Sequence, residues 1–361
     1  MTGTATVVKH TGSHYLLTIL PGWNLFPAVL RGKVRLEGKS ATNPVAVGDS
    51  VEFYADGEPL EDGGVPASEA APAAIVRILP RRNYIIRKSV NLSRQAHIIA
   101  ANIDRAFLVV TLAFPEVKLP FVDRLLVTCE VYGVRPVIVL NKIDIVREFP
   151  DEFRESLENF HRIYASAGYP VIEVSAKTGE GIEELRRLCL QKCDASSDDA
   201  AANEALPADV PDAPAPQNAT AEAPQPCISL FSGVSGVGKS SLIKALDPSL
   251  TPRTGEISEA HLQGRHTTTF YEMYQADFGG EKAYIIDTPG IRGFGLVDLE
   301  KEEIPLYFPE MLRESENCRF TPCTHTHEPH CAVKEAVERG EISPERYDSY
   351  LGMIEESTKY R

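Results

Sequence analysis

Short runs in which apolar and polar positions alternate fill the first quarter of the chain, each closed by turn residues: Ala5–Lys9, Tyr15–Leu20, Ala28–Leu36, Asp49–Tyr54 and Ala74–Ile86. Such alternation is the signature of half-buried strands, and each run is read as one. Five strands suit a small closed barrel, and the OB-fold is the commonest barrel of that count that also binds RNA. Residues 56–72 form a polar, Pro/Gly-rich loop ahead of the last strand. After Ile98 the period changes. Apolar strands are expected at Arg105–Leu112, Pro136–Leu140 and Pro170–Val174, and helical spacing at Phe121–Tyr132, Glu152–Ala167 and Ile182–Leu190. That alternation predicts a parallel sheet flanked by helices. Residues 194–226, dominated by Ala, Pro and acids, have too few large apolar side chains to fold, and a disordered linker is expected there. Strand Cys227–Phe231, helix Ser240–Leu246 and strand Ala283–Ile286 resume the sheet, and residues 296–361 read as helical apart from a Cys/His cluster. The fold class is therefore multidomain: a β-barrel over 1–97, an α/β domain over 98–295 and a mostly helical domain over 296–361.

The length of 361 residues accommodates these units, and 43% hydrophobic residues is ordinary for packed cores. No apolar run reaches the roughly 18 residues that span a bilayer, and Met1–His10 lacks the build of a secretory signal, so a cytoplasmic protein without a membrane partner is expected, as a monomer. A net charge of −14 argues against nucleic-acid binding by the molecule as a whole. Its distribution changes that picture. Residues 194–226 carry Asp194, Asp198, Asp199, Glu204, Asp209, Asp212 and Glu222 with no Lys or Arg, half of the net charge. Residues 75–100 carry Arg77, Arg81, Arg82, Arg87, Lys88 and Arg94 with no acid, so a local basic face is expected. Seven cysteines are too few and too unevenly spaced for a disulfide framework, and three crowd between Cys318 and Cys331.

Candidate chemistry sits where strands end. Gly233-Val234-Ser235-Gly236-Val237-Gly238-Lys239-Ser240, with Ser241 behind it, fits the phosphate loop in which backbone N–H groups at a helix N-terminus cradle phosphates. Lys239 would hold the β- and γ-phosphates and Ser240 would ligate Mg²⁺. Asn141-Lys142-Ile143-Asp144 follows one apolar strand and Ser175-Ala176-Lys177 another. The Asp144 carboxylate can accept from N1–H and the exocyclic amine of guanine, which adenine does not offer. Asn141 would tie its loop to the phosphate loop, the Lys142 stem would cover the base, and the Ala176 N–H would donate to guanine O6. Asp287-Thr288-Pro289-Gly290 ends a strand, so Asp287 would hold Mg²⁺ through water while the Gly290 N–H meets the γ-phosphate. Thr268, within Gly264–Thr269, stands where a Mg²⁺-binding switch threonine belongs. Ile291 occupies the position of the water-orienting Gln of Ras-type GTPases, so unaided hydrolysis should be slow, and His266 is a candidate to position or polarise the attacking water. Cys318, Cys323, His325 and Cys331 supply three thiolates and an imidazole, a set that suits a structural zinc site, with His327 and His330 as substitutes for His325.

Conventional GTPases present the phosphate loop first; here the guanine motifs precede it. The residues converge only if the old termini are joined and the chain is cut after Asp287–Gly290, a circular permutation for which residues 194–226 can supply the joining segment. The cut also places the zinc cluster within about thirty residues of the second switch, with no intervening strand, so the switch is expected to reposition that module. The set Asn141–Asp144, Ser175–Lys177, Gly233–Ser240, Gly264–Thr269, Asp287–Gly290 and Cys318–Cys331, behind a β-barrel, resembles the ribosome small-subunit-dependent GTPase A family. The resemblance covers nearly the whole chain. It implies an OB-fold, a permuted GTPase and a zinc-binding helical domain acting on the maturing small (30S) ribosomal subunit and its rRNA, with GTP hydrolysis stimulated by that subunit. Two alternatives are a nucleotide-gated rRNA-binding scaffold and a permuted GTPase of large-subunit assembly.

Overall fold

The structure is a computed structural model that describes residues 1–30, 44–60, 64–88, 96–192, 227–252, 271–288 and 299–359. The expected linker 194–226, the segment carrying His266 and Thr268, and Gly290 with Ile291 lie outside the described residues.

The five N-terminal strands are β1 (Thr2–Thr11), β2 (His14–Thr18), β3 (Phe26–Leu30), β4 (Ser50–Tyr54) and β5 (Ala73–Ile78). They run in the order β1-β2-β3-β5-β4, and β4 returns to pair with β1, which closes the barrel. This is the five-stranded OB-type barrel expected from the sequence. Inward alternation fills it with Ala5, Val7, Leu17, Phe26, Val51, Phe53 and Ile75, and Phe26 and Phe53 meet at 5.0 Å between ring centroids. The expected single strand Ala74–Ile86 is two. Pro80 has no N–H to give a ladder, so β5 ends at Ile78 and the chain restarts as β6 (Tyr84–Lys88), paired antiparallel with β7 (Ala96–Ala101), a strand the alternation did not reveal. Ile85 and Ile99 of this hairpin bury in the core of the following α/β unit, not in the barrel.

Part of the basic stretch is paired with acids of the barrel and of this junction. Arg81 grips the buried carboxylate of Asp49 from Nε at 2.6 Å and from a terminal nitrogen at 2.7 Å, Arg77 pairs with Glu52, and Arg82 pairs with Asp104 at 2.9 Å. Three of the six residues read as a basic face are thus neutralised by partners, because charges near an interface are stabilised by pairing. Gly48 marks the tightest approach: a Cβ there would lie 2.1 Å from the Ala101 carbonyl oxygen, and its φ of 89° is left-handed.

The α/β unit is built from β8 (Arg105–Val110), β9 (Arg135–Leu140), β10 (Val171–Glu173), β11 (Ile228–Ser232), β12 (Glu272–Phe278) and β13 (Glu281–Asp287). Their order is β10-β9-β8-β11-β13-β12, all parallel except β12. β11 comes late in the chain yet inserts between β8 and β13, the topological mark of the permutation. β12 was not expected, because Glu272, Gln275 and Asp277 break its apolar pattern at the sheet edge. Among the described residues, five helices cover the faces: α1 (Leu119–Val131), α2 (Ile143–Glu148), α3 (Pro150–Ala167), α4 (Ile182–Leu190) and α5 (Lys239–Leu246). α3 shows why the sequence stops and starts where it does. Pro150 opens it, Asp151 and Glu152 face the positive end of its dipole, and Gly168 closes it at φ 90°.

The C-terminal module comprises a 3₁₀ turn (Ile304–Tyr307) and helices α6 (Pro309–Ser315), α7 (Ala332–Glu338) and α8 (Pro344–Lys359). It shares one core with α1, in which Val127 and Val131 pack with Phe308, Met311, Val333 and Tyr350. Arg346 of α8 locks this contact. Its guanidinium has no exposed surface, bonds Glu310 at 2.7 and 3.1 Å and Asp123 of α1 at 2.9 Å, and lies over Phe308 and Tyr169. Burial opposes its charge, but Asp123 and Glu310 outweigh that and hold the guanidinium protonated. The module is therefore seated on the guanine-motif half of the α/β unit. No described helix is long and apolar enough to cross a membrane.

Candidate functional site: three loops at the carboxyl ends of the sheet

Parallel strands present their following loops on one edge, so the motif residues after β9, β10, β11 and β13 assemble there. The phosphate loop is shaped by its glycines. Gly233, Gly236 and Gly238 have φ of 152°, 87° and 95°, and a Cβ on Gly233 would lie 2.3 Å from the Val109 carbonyl oxygen. Only glycine fits there. Lys239 is buried and donates from Nζ to the Gly233 and Val234 carbonyls at 2.8 and 3.2 Å, which folds it back over the loop where phosphate oxygens would take it. Burial pulls the Lys239 ammonium below its usual range, and Asp287 works against that shift. Ser240 and Ser241 open α5 beside it.

Asn141 joins the three loops. Its Nδ2 donates 2.7 Å to the Val237 carbonyl in the phosphate loop, and its Oδ1 accepts from the Ala176 N–H at 3.3 Å. The fit is close: a Cβ on Gly238 would lie 2.4 Å from that Nδ2. Lys142 takes a left-handed φ of 63°, uncommon for a side chain of its size, and its Nζ reaches the Gly236 carbonyl at 2.8 Å and the Phe114 carbonyl. Asp144 accepts from the buried Ser175 hydroxyl at 2.7 Å, with Lys177 Nζ 3.7 Å from its second oxygen. Gly181 must be glycine for the loop after β10 to close, since a Cβ there would meet the Glu173 carbonyl oxygen at 2.1 Å. The turn after β8 was not anticipated from the sequence. Phe114, 74% exposed with φ 50°, and Pro115 lie against Lys142 and Gly236; a Phe-Pro pair at a strand's carboxyl end is the signal that could have flagged it.

Asp287 sits at the end of β13, in register with Phe231 of β11 and Glu272 of β12. It is half-buried, and its buried Oδ1 has no hydrogen-bond partner. Burial chiefly, with Glu272 adding and Lys239 opposing, pushes its carboxyl up to about 6. An orphaned carboxylate oxygen beside a phosphate loop is what a hydrated divalent cation would satisfy, so the residues here fit Mg²⁺. Thr288 turns away and donates to the Phe231 carbonyl at 2.8 Å. His266, Thr268 and Gly290 lie outside the described residues.

In the C-terminal module the ligand atoms of Cys318, Cys323, His325 and Cys331 all lie within 4.8 Å of one another. Cys331 Sγ is 3.9 Å from both other sulfurs and 3.3 Å from His325 Nδ1. Tetrahedral thiolates about 2.3 Å from zinc are separated by about 3.8 Å, so the cluster is consistent with a zinc site. Burial first, and then the neighbouring sulfurs, push the Cys323 thiol up to about 12, a penalty that a central cation would reverse. His325, at φ 50°, is the imidazole brought in, and its backbone is held by Tyr347, whose hydroxyl donates 2.6 Å to its carbonyl. His327 and His330 are exposed and outside this cluster.

Comparison with known proteins agrees with this geometry. The family described as RsgA GTPase matches residues 78–196 and 212–297. A small ribosomal subunit biogenesis GTPase RsgA of Flavobacterium psychrophilum is 41% identical over 352 residues, covering 98% of this chain and 92% of its own. The crystal structure of YjeQ from Thermotoga maritima superposes with a TM-score of 0.68 at 30% identity, over 99% of this chain and 98% of that one. YloQ, a circularly permuted GTPase, shares the fold at a TM-score of 0.65 and 22% identity, over 100% of this chain and 96% of its own.

Proposed function

The chain belongs to the RsgA GTPase family, and from that premise we propose that it hydrolyses GTP to GDP and phosphate on the small ribosomal subunit, late in that subunit's maturation, with turnover raised by the subunit. The observation that carries the GTPase reading is the pair of hydrogen bonds at the Asn141 side chain, which holds the guanine loop, the Ser175–Lys177 loop and the phosphate loop in one site. The names of the curated relatives, small ribosomal subunit biogenesis GTPases, support the choice of partner.

Asp144 would accept the two N–H groups of guanine, exchanging its bond from Ser175 for them, while the Ala176 N–H donates to O6 and the Lys142 stem covers the base. The N–H groups of Gly233 to Ser241 would cradle the phosphates, and Lys239 would release its loop carbonyls to hold the β- and γ-phosphates. Ser240, Thr268 and Asp287, the last through water, would hold Mg²⁺. When bound, Mg²⁺ would supply charge neutralisation for the phosphates. Gly290 would contact the γ-phosphate, and His266 would orient the attacking water in place of the glutamine that Ile291 replaces. Residues 1–97 would contact rRNA, residues 98–295 would carry the GTPase and residues 296–361 would bind zinc through Cys318, Cys323, His325 and Cys331. A cytoplasmic monomer fits such a partner. The test is GTP turnover with and without purified small and large subunits. Slow basal turnover that rises steeply with small subunits alone is expected; stimulation by large subunits only, or by neither, would overturn the reading.

A further inference from the structure

One edge of β1 is used twice. Residues Thr2 to Thr6 pair with β4 and close the barrel, and then a bulge between Val7 and Lys9 turns the strand. The bulge sends Val7 into the barrel core and Val8 into the core of the α/β unit. Beyond it the freed edge pairs antiparallel with β12, Lys9 opposite Glu272. Directly opposed residues of an antiparallel pair point to the same face. Lys9 Nζ accordingly meets Glu272 Oε1 at 2.7 Å, with both side chains mostly buried, and the Tyr274 hydroxyl donates to the other Glu272 oxygen at 3.3 Å. On its far side Glu272 is opposite Asp287, so Lys9, Glu272 and Asp287 form one row across the sheet. A second tie crosses the same seam. Trp23, the only tryptophan of the chain, packs on Tyr284 of β13 at 5.6 Å between ring centroids, and the Tyr284 hydroxyl donates to the Pro21 carbonyl at 2.8 Å.

The hairpin β12–β13 therefore has the barrel on its outer edge and the phosphate-loop strand on its inner edge. In sequence it joins residues 253–270, which carry Thr268, to residues 289–298, which carry Gly290. Those two segments, which carry the residues assigned above to Mg²⁺ and the γ-phosphate, are continuous in sequence with the two strands of this hairpin, whose outer neighbour is the barrel. We propose that Lys9 is a positioning residue for stimulated hydrolysis: its ion pair with Glu272 holds the hairpin in register with the barrel, so that barrel engagement and nucleotide state bias one another. Coupling of this kind is reciprocal, and its usual size is a change of roughly 5- to 150-fold. Glu272 flanks Asp287 directly, whereas Lys9 sits one strand further out, so a change at Lys9 acts through the hairpin.

The link to subunit stimulation rests on the function proposed above, and two readouts separate the two ideas. In the full-length protein, Lys9→Met should lose about tenfold of small-subunit-stimulated kcat while basal kcat and the KM for GTP change by less than about twofold. Lys9→Arg, which restores a cation opposite Glu272, should recover most of that loss. Wild-type stimulation in Lys9→Met, an equal fall of basal and stimulated turnover, or Lys9→Arg as poor as Lys9→Met would overturn the proposal. Should the wild-type protein show no stimulation, the proposed function fails and Trp23 decides the coupling alone. Its emission should differ between the GDP and the Mg²⁺–GTP-analogue states of the wild type and not between those of Lys9→Met; an undiminished difference in the variant would overturn the link.

Discussion

At the residue scale, the site works by withholding partners until nucleotide arrives. Asp144 is held by the Ser175 hydroxyl and Lys239 by its own loop carbonyls, bonds that a guanine edge and phosphate oxygens can replace. Replacing the carboxylate by an amide turns one acceptor into a donor facing the guanine N–H groups. Asp144→Asn should therefore weaken GTP binding by on the order of a hundredfold and favour xanthosine triphosphate, as read by competitive nucleotide binding. Asp287 offers a pH test. Its carboxyl is pushed up to about 6, so the neutral form prevails below that pH and only the ionised form can help hold Mg²⁺. The apparent Mg²⁺ affinity of the GTP complex should hence fall about tenfold per pH unit below 6 and level off above 7, measured by Mg²⁺ titration of nucleotide binding. These residues were legible in the sequence because their chemistry is local: glycines for left-handed φ, a carboxylate for guanine, a lysine for phosphate. Phe114 was not, because what brings it to the site is the Lys142 side chain, twenty-eight positions further along the chain.

At the element scale, α8 depends on a charge buried between two carboxylates. Arg346→Met keeps the stem but leaves Asp123 and Glu310 buried without their cation, which should cost about 3–5 kcal/mol, visible in denaturant unfolding of the module. The cysteine–histidine cluster lies beside it, in the loop between α6 and α7. Metal analysis of freshly purified protein should find stoichiometric zinc, and chelation should lower the melting temperature of residues 304–353 while GTP binding persists. Strands β7 and β12 escaped the sequence reading for a reason that belongs to this scale. Each is a hairpin partner stabilised by its neighbour's ladder, and β12 lies where polar side chains at the sheet edge are tolerated, so neither needs a clean apolar alternation.

For the whole molecule, the structure changes what the second switch can do. The order of motifs suggests that Asp287–Gly290 swings the zinc module, yet the module shares a core with α1 and is pinned there by Arg346. Displacing it would expose that core and strand Asp123, since Glu310 travels with Arg346. Amide-exchange protection of residues 304–353 should therefore be equal in the GDP and GTP-analogue states; a difference would show the module moving after all. The barrel, in contrast, meets the hairpin between the switch segments along the Lys9–Glu272 seam, which makes it the better placed of the two to exchange force with the nucleotide site. The basic stretch near residue 80 teaches the same lesson, since counting charges predicts a face while Asp49, Glu52 and Asp104 each pair with one of its arginines and only Arg81 is drawn inward. By itself the sequence determined the chemistry and its order: which residues can hold guanine, phosphate, Mg²⁺ and zinc, and that the chain must be permuted for them to meet. Those facts follow from side-chain types at fixed short spacings. Tertiary structure alone decided which units are rigidly joined, because joints are made by contacts far apart in the chain, Lys9 with Glu272 and Asp123 with Arg346, whose partners no local pattern specifies.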